Sequence, residues 1–402
     1  MTIRERAPGI FDVSVQHADL KFFDRLMPTS KGTTYNSYVI RGSEKTCLID
    51  PVDADFVKEL LEKLYDLGID KLDYIFCLHT EQDHAGGITA LLSRYPDAKI
   101  VATKAVHDLM VTHLHVSDDH FMLVEDGETI SLGERTLTVK SIPFAHWPDN
   151  TMLLLNEPRF LFSSDLFGSH YALREGDTFS TEEQLSQAKV YFAEIMMPFR
   201  NQVKKYIAWT REAAPVKIFS AHGPVWEDPN VILSRYESWT SDEVRDRIVV
   251  MYVSMHESTR VMVERLTQRL AAHGVTVTAH DIGRPEADLR VSVGEAMHKV
   301  VNAAAVVLAA PTVLGGMHPN MAFACTLLNA FKPKTKLLAL MGSYGWGTQI
   351  EKGVKGILSG LKAEWLDSVL IKGLPDDAGL LQIDALADEL ATKVKEVATP
   401  QH

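Results

Sequence analysis

Cysteine is scarce in this chain: Cys47, Cys77 and Cys325 are odd in number, dispersed and set in or near apolar runs. That spacing excludes a disulfide framework and reads as core thiols. No apolar run reaches the length needed to span a bilayer, and no N-terminal stretch joins a basic segment, an apolar core and a small-residue cleavage site. A cytoplasmic protein without a membrane partner is expected. Basic residues are in deficit, 41 Lys and Arg against 53 Asp and Glu, for a net charge of -12. Non-specific nucleic-acid binding, which depends on basic patches that displace phosphate counterions, is therefore excluded. Internal repeats, low-complexity tracts and Gly/Ser-rich linkers are also absent. What remains is 402 residues with 46% hydrophobic content, enough for two or three cores.

The most informative stretch is Leu78-His79-Thr80-Glu81-Gln82-Asp83-His84-Ala85-Gly86-Gly87. Four candidate metal ligands, His79, Glu81, Asp83 and His84, fall within six residues, after the strand-like run at 74–78. Carboxylate-rich sites supplemented by histidine suit iron or manganese better than zinc, which favours histidine and cysteine. Further candidates end later strand-like runs: His146, Asp165 and His222. Together they supply enough ligands for two metals.

A helix over 56–67 is expected from the stripe Phe56, Leu60, Leu61, Leu64 and Leu67, ended by Gly68. Strands are expected at 35–40, 47–49, 100–102, 136–142, 152–155 and 218–220, giving an αββα sandwich. The charged segment at 241–247 marks a domain boundary near residue 245, so that residues 1–245 and 246–402 form separate domains. Beyond it, apolar runs at 248–253, 275–279, 305–309 and 337–341 alternate with helical patterns such as Met262, Leu266 and Leu270. This is the pattern of a doubly wound parallel sheet, in which ligands bind beyond the carboxyl ends of the strands.

Three loops at those ends are unusual. Ser254-Met255-His256-Glu257-Ser258-Thr259 is hydroxyl-rich and opens a helix, as a phosphate cradle would. Pro311-Thr312-Val313-Leu314-Gly315-Gly316 carries a glycine pair, and Ser343-Tyr344-Gly345-Trp346-Gly347 sets two aromatics among glycines. His107, His113, His115 and His120 are set aside as a metal cluster because residues two apart on a helix face different sides. His273 and His298 read as solvated helix residues.

The motif over residues 79–84 resembles the H-x-H-x-D-H motif of the metallo-β-lactamase fold, with Glu81 where zinc hydrolases carry a second histidine. The three later loops resemble the FMN-binding loops of flavodoxins, with Ser258 where the usual glycine precedes the last threonine. The two halves in this order resemble the flavodiiron proteins over nearly the whole chain. That resemblance implies a metallo-β-lactamase-like αββα sandwich followed by a flavodoxin-like domain. It implies FMN and two non-haem irons per chain, reducing dioxygen to water or nitric oxide to nitrous oxide. His79, Glu81 and His146 would hold one iron, Asp83, His84 and His222 the other, and Asp165 would bridge them. In some members the residue at His84 turns away. Tyr191 falls where members carry a tyrosine near the metals, either donating a hydrogen bond to a reduced intermediate or serving as an ordinary helix aromatic.

The resemblance further implies a head-to-tail homodimer, possibly a dimer of dimers, that brings each flavin to the partner's metals, with Trp346 between them. With the chain ending at His402, no appended rubredoxin or reductase domain is expected. A separate donor is therefore expected: rubredoxin, a rubredoxin-linked reductase or a reduced deazaflavin. Three functions stay open: a gas reductase, a zinc-type hydrolase fused to a flavodoxin, and a non-catalytic flavin electron carrier or redox sensor.

Overall fold

The computed structural model describes residues 3–174 and 176–399. Its contacts divide into two compact units. The first runs to Thr240, less Asp24–Pro28 and Ala193–Pro198; these two segments cluster with the second unit, which begins at Ser241. No helix among the described residues is long and apolar enough to cross a membrane.

Two mixed sheets form the first unit, and each follows chain order. The larger comprises β1 (Arg4–Ala7), β2 (Ile10–Asp12), β3 (Tyr38–Arg41), β4 (Thr46–Ile49), β5 (Tyr74–Phe76), β6 (Lys99–Ala102) and β7 (Phe121–Leu123). The other comprises β8 (Thr129–Ser131), β9 (Thr136–Ser141), β10 (Thr151–Leu155), β11 (Phe160–Phe162) and β12 (Lys217–Phe219). Alternate residues turn inward: Tyr38 and Ile40, Tyr74 and Phe76, Leu137 and Val139, Leu153 and Leu155, Phe160 and Phe162 share one core. Side-chain period two thus makes the sandwich, each sheet burying one face against the other. Helix α1 (Val57–Asp66) buries Leu60 and Leu64, and the chain leaves it through Gly68 at φ +64°, where a left-handed residue closes the last turn.

The expected strand at 35–40 is broken. Residues Thr33–Tyr35 pair with Val15–His17, and β3 starts only at Tyr38. Between them Asn36 leaves the ladder: its N–H donates to Ala221 O at 2.9 Å and its Nδ2 to Ser220 O and Gly223 O at 2.7 Å. Likewise β5 stops two residues before Leu78, whose N–H donates to Asp50 Oδ1 at 2.8 Å instead of to a neighbouring strand.

The second unit is a parallel sheet of β13 (Arg245–Tyr252), β14 (Thr276–Asp281), β15 (Ala303–Val313), β17 (Leu337–Tyr344) and the short β18 (Glu364–Trp365) in the order β14-β13-β15-β17-β18. β16 (Gly316–Met317) folds back on β15, and β19 (Val369–Lys372) also pairs with β17. Ile248–Met251 and Ala303–Ala310 are buried without alternation, as strands covered on both faces must be. Met262, Leu266 and Leu270 of the helix Ser258–Ala272 pack in one core with Val250, Val307 and Ala339. His273 is not a solvated helix residue: it caps that helix half-buried, 2.6 Å from Asp388 Oδ1. His298 is half-buried on the helix Leu289–Val300. The three cysteines are buried free thiols.

Candidate functional site

At one edge of the sandwich the chain leaves β5, β11 and β12 in loops that carry His79, Asp165 and His222, and the β9–β10 connection carries His146. The loop after β5 turns directly into a one-turn helix, Gln82–Ala85, capped by Glu81 in extended conformation. Glu81, Asp83 and His84 therefore project from a helix start into one buried space. Glycine at 86 and 87 is required for space: a Cβ at Gly86 would meet Gln82 O at 2.4 Å, and one at Gly87 would meet Pro51 O at 2.2 Å. Thr80 fastens the loop further, donating through its N–H and hydroxyl to Asp149 Oδ2 at 2.9 and 2.8 Å.

The seven side chains fall into two groups with Asp165 between them. His146 Nε2 lies 3.0 Å, and His79 Nε2 3.4 Å, from both Glu81 Oε2 and Asp165 Oδ2. On the other side His84 Nε2 is 3.1 Å and His222 Nε2 3.2 Å from Asp83 Oδ2, while Asp165 Oδ1 is 3.2 and 3.6 Å from the same two nitrogens. His84 faces inward with the rest. Each oxygen of Asp165 thus serves a different group, and the donor atoms of each group lie within 4.8 Å of one another. These are the only such groups among the described residues, so His107, His113, His115 and His120 form none.

This donor set fits metal ions. His79 Nε2, both oxygens of Asp83, both nitrogens of His84 and Asp165 Oδ1 are buried without hydrogen-bond partners. So many unsatisfied atoms in one place are costly unless a ligand meets them. The field is also cation-favouring. Burial alone would depress the imidazoles, but Asp165 carries His79 up to about 9, and Asp165 and Glu81 carry His146 up to about 10. Burial works to raise Asp83, yet His84 and His222 hold it far below the ordinary carboxylate range.

Residues with no motif behind them orient these ligands. His222 Nδ1 donates to Thr34 O at 2.6 Å, which turns Nε2 towards the site. Ser164 Oγ stands 3.1 Å from His79 Nδ1 and accepts from Asn150 Nδ2 at 2.9 Å. Asp50, Thr34, Asn36, Asp149, Asn150 and Ser164 lie far from the motif in sequence or are of ordinary loop type; only Ser164, beside Asp165, had a positional hint. Tyr191 ends the helix Thr181–Tyr191 fully buried, its ring centroid 5.9 Å from that of His222 and 4.9 Å from that of His170. His170 is a further buried imidazole that the motifs did not reveal. Burial depresses it to about 3, with His222 adding to the effect and Asp165 and Asp83 opposing it.

In the second unit the three unusual loops stand at the carboxyl ends of β13, β15 and β17. Hydroxyls join them: Thr259 Oγ1 lies 3.1 Å from Ser343 Oγ and Thr312 Oγ1 2.7 Å from Thr348 Oγ1, while Gln349 N–H donates to Gly315 O at 2.7 Å. The left-handed residue of the first loop is Glu257, at φ +67°, and Ser258 already begins the helix. The absent glycine therefore strains Glu257 rather than Ser258. Ser254, Met255 and His256 are half-buried or exposed before it, whereas Thr259 is buried. The second loop is a hairpin: Pro311, Thr312 and Val313 complete β15, Leu314 and Gly315 turn with φ +49° and +78°, and Gly316 begins β16. Tyr344 belongs to β17, so only Trp346 stands in the loop, between Gly345 and Gly347. Met255, Leu314 and Trp346 expose large apolar surface on these three loops, a rim that fits a planar ring.

A family model described as ODP family beta lactamase matches residues 33–223. The chain is 29% identical to a nitric oxide reductase of Moorella thermoacetica, over 96% of this chain and 98% of that protein. It is 30% identical to an anaerobic nitric oxide reductase flavorubredoxin of Vibrio vulnificus, over 90% of this chain and 74% of that protein. The solved rubredoxin oxygen oxidoreductase of Desulfovibrio gigas superposes with a TM-score of 0.92 at 27% identity, covering 98% of this chain and 99% of that one. Fold, order of units and relatives agree: the chain is an oxidoreductase that belongs to the flavodiiron protein family.

Proposed function

We propose that this protein reduces nitric oxide to nitrous oxide, dioxygen to water, or both, at a pair of irons fed by FMN. The observation that carries the reading is Asp165, whose two oxygens face two separate histidine and carboxylate groups. His79, Glu81 and His146 would hold one iron, Asp83, His84 and His222 the other, and Asp165 both. When bound, the irons supply paired redox sites for a diatomic gas, and FMN converts electron pairs into single electrons. The chain's own residues do the rest: Thr34 and Ser164 hold His222 and His79 in the ligating tautomer, and the apolar packing around the site excludes bulk water. Residues 254–259, 311–316 and 343–347 would hold the flavin, Thr259 and Ser343 at its phosphate end and Tyr344 and Trp346 at its ring.

The names of the relatives support both gases. Residues 1–245 would then be the diiron domain and 246–402 the flavin domain of a cytoplasmic head-to-tail homodimer. The donor would be a separate protein or carrier; the name of the Desulfovibrio gigas relative supports a rubredoxin, with a reductase or reduced deazaflavin as the other classes. A zinc hydrolase is disfavoured because Glu81 stands between His79 and His146, where it adds an oxygen ligand. The deciding experiment is anaerobic turnover of the pre-reduced, iron-loaded protein with each gas, counting electrons consumed. Rapid reoxidation by either gas supports a reductase; zinc without iron, or a flavin that reoxidises slowly with both gases, refutes it.

A further inference from the structure

Between the sheets of the first unit, where β5 runs out into the ligand loop, the core leaves a small cavity walled by Phe76, Leu78, Val101, Val139 and Leu153. All five are buried and belong to the shared core of the sandwich. The centre of a sphere the size of a water molecule can range over about 10 Å³ inside it. One water, or a diatomic molecule scarcely longer, fits such a space, and a larger metabolite does not.

Polar groups reach this wall too, but each is already bonded. Thr151 Oγ1 donates to Leu78 O at 3.0 Å, Cys77 Sγ donates to His79 O at 2.9 Å, and Thr103 Oγ1 accepts from Val106 N–H at 3.5 Å. None of the lining side chains is left with a buried, unpartnered polar atom. A water needs about two to four polar partners to settle in a cavity and would find few here, so the space favours an apolar guest.

Position ties the cavity to the candidate metal site. Leu78 runs directly into His79, and Thr151 follows Asn150, which holds Ser164 against His79 Nδ1. At the other side Thr103, which caps the helix Lys104–Leu114, is the lining residue that is only half-buried. The cavity thus reaches from a solvent-touched threonine to the foot of the ligand loop.

We propose that this cavity is a binding site for one molecule of an apolar diatomic gas, dioxygen or nitric oxide, held beside the group of His79, Glu81 and His146 before it reacts there. The choice of guest rests on the gas-reductase reading. Such gases leave water readily for apolar surroundings, so the cavity raises their concentration next to the site, and no bond forms or breaks within it.

Krypton, an apolar atom with an anomalous X-ray signal, tests the site in crystals of the oxidised holoprotein held under the gas. One krypton peak should stand among Phe76, Val101, Val139 and Leu153. Val139→Leu fills the space, so the peak should disappear. In solution, reoxidation of that pre-reduced variant by dioxygen or nitric oxide should slow severalfold. Its iron and flavin contents should stay at wild-type levels, as should its reoxidation by ferricyanide, which is too large for the cavity. If Val139→Leu fails to accumulate, Leu153→Val, which widens the space, decides: krypton occupancy should rise, and an unchanged occupancy overturns the proposal. Gas reoxidation of Val139→Leu at the wild-type rate also overturns it. So does the absence of a krypton peak in a wild type that the gases do reoxidise. A wild type that neither gas reoxidises fails the gas-reductase reading itself, and the proposed guest falls with it.

Discussion

Ser164 Oγ lies 3.1 Å from His79 Nδ1, and Ser164 itself adopts a left-handed backbone, φ +54°, one residue before Asp165. One strained turn thus delivers the carboxylate that joins both ligand groups and the hydroxyl that orients an imidazole of one of them. Asn150, donating to Ser164 Oγ at 2.9 Å, holds the turn in place. Such outer partners fix the tautomer and ring direction of a ligand before any metal arrives. In Ser164→Ala the iron affinity should drop by about 10- to 100-fold with the flavin unaffected, read by competition with a chelator. Iron retention equal to wild type would remove Ser164 from the site.

Removal of the ligands themselves should act more severely. His79→Ala or Asp165→Ala should abolish gas reduction and lower iron content by about an order of magnitude or more, while FMN content remains at wild-type level. Asp165→Ala should be the worse, because its oxygens face both groups. A variant that loses its iron yet still turns over the gas would refute the assignment.

At the flavin loops, Thr259 Oγ1 and Ser343 Oγ stand 3.1 Å apart, both buried at the mouth of the parallel sheet. Thr259→Val removes one hydroxyl and leaves the other without that partner, at roughly 1–3 kcal/mol. FMN should bind correspondingly more weakly, about 5- to 150-fold, and iron content should not change. Fluorescence titration of the apoprotein with FMN measures this; an unchanged dissociation constant would move the phosphate to another part of the cradle.

The ligand motif was legible because its information is local: side chains within six residues on a helix start must project into the same space. The parallel sheet was legible for a similar reason, since strands buried on both faces appear as unbroken apolar runs. The supports were not. Thr34 acts through its carbonyl, Asn36 by leaving a ladder, and Asp149 by capturing a loop 69 residues away, and none of these roles depends on a residue pattern. The left-handed position in the first flavin loop, Glu257, was not legible because a motif gives composition, whereas φ is set by where the helix begins. His170 and Glu194 escaped notice because an isolated polar residue gains its meaning only from what surrounds it.

Glu194 yields a pH prediction. It sits in a π-helical turn, Phe192–Met196, and is almost fully buried in the second unit, where a Cβ added at Gly294 would lie 3.3 Å from its Oε1 and 2.6 Å from Pro28 Cγ. Oε2 has no hydrogen-bond partner. Burial is the sole cause pushing this carboxyl up to about 8, from an ordinary value of 4.5. Between those values the folded protein keeps a proton that the unfolded chain releases, so stability is full below about pH 4.5 and falls as pH rises towards 8. The total loss above that range is on the order of a few kcal/mol, at 1.36 kcal/mol per unit. Glu194→Gln cannot ionise, and its amide adds at most a constant offset. Denaturant unfolding at several values across this window should therefore show the variant gaining on the wild type as pH rises, with the gain levelling off above about pH 8. Parallel stability curves for the two proteins would mean that Glu194 is ionised and solvated in the folded chain, contrary to its burial.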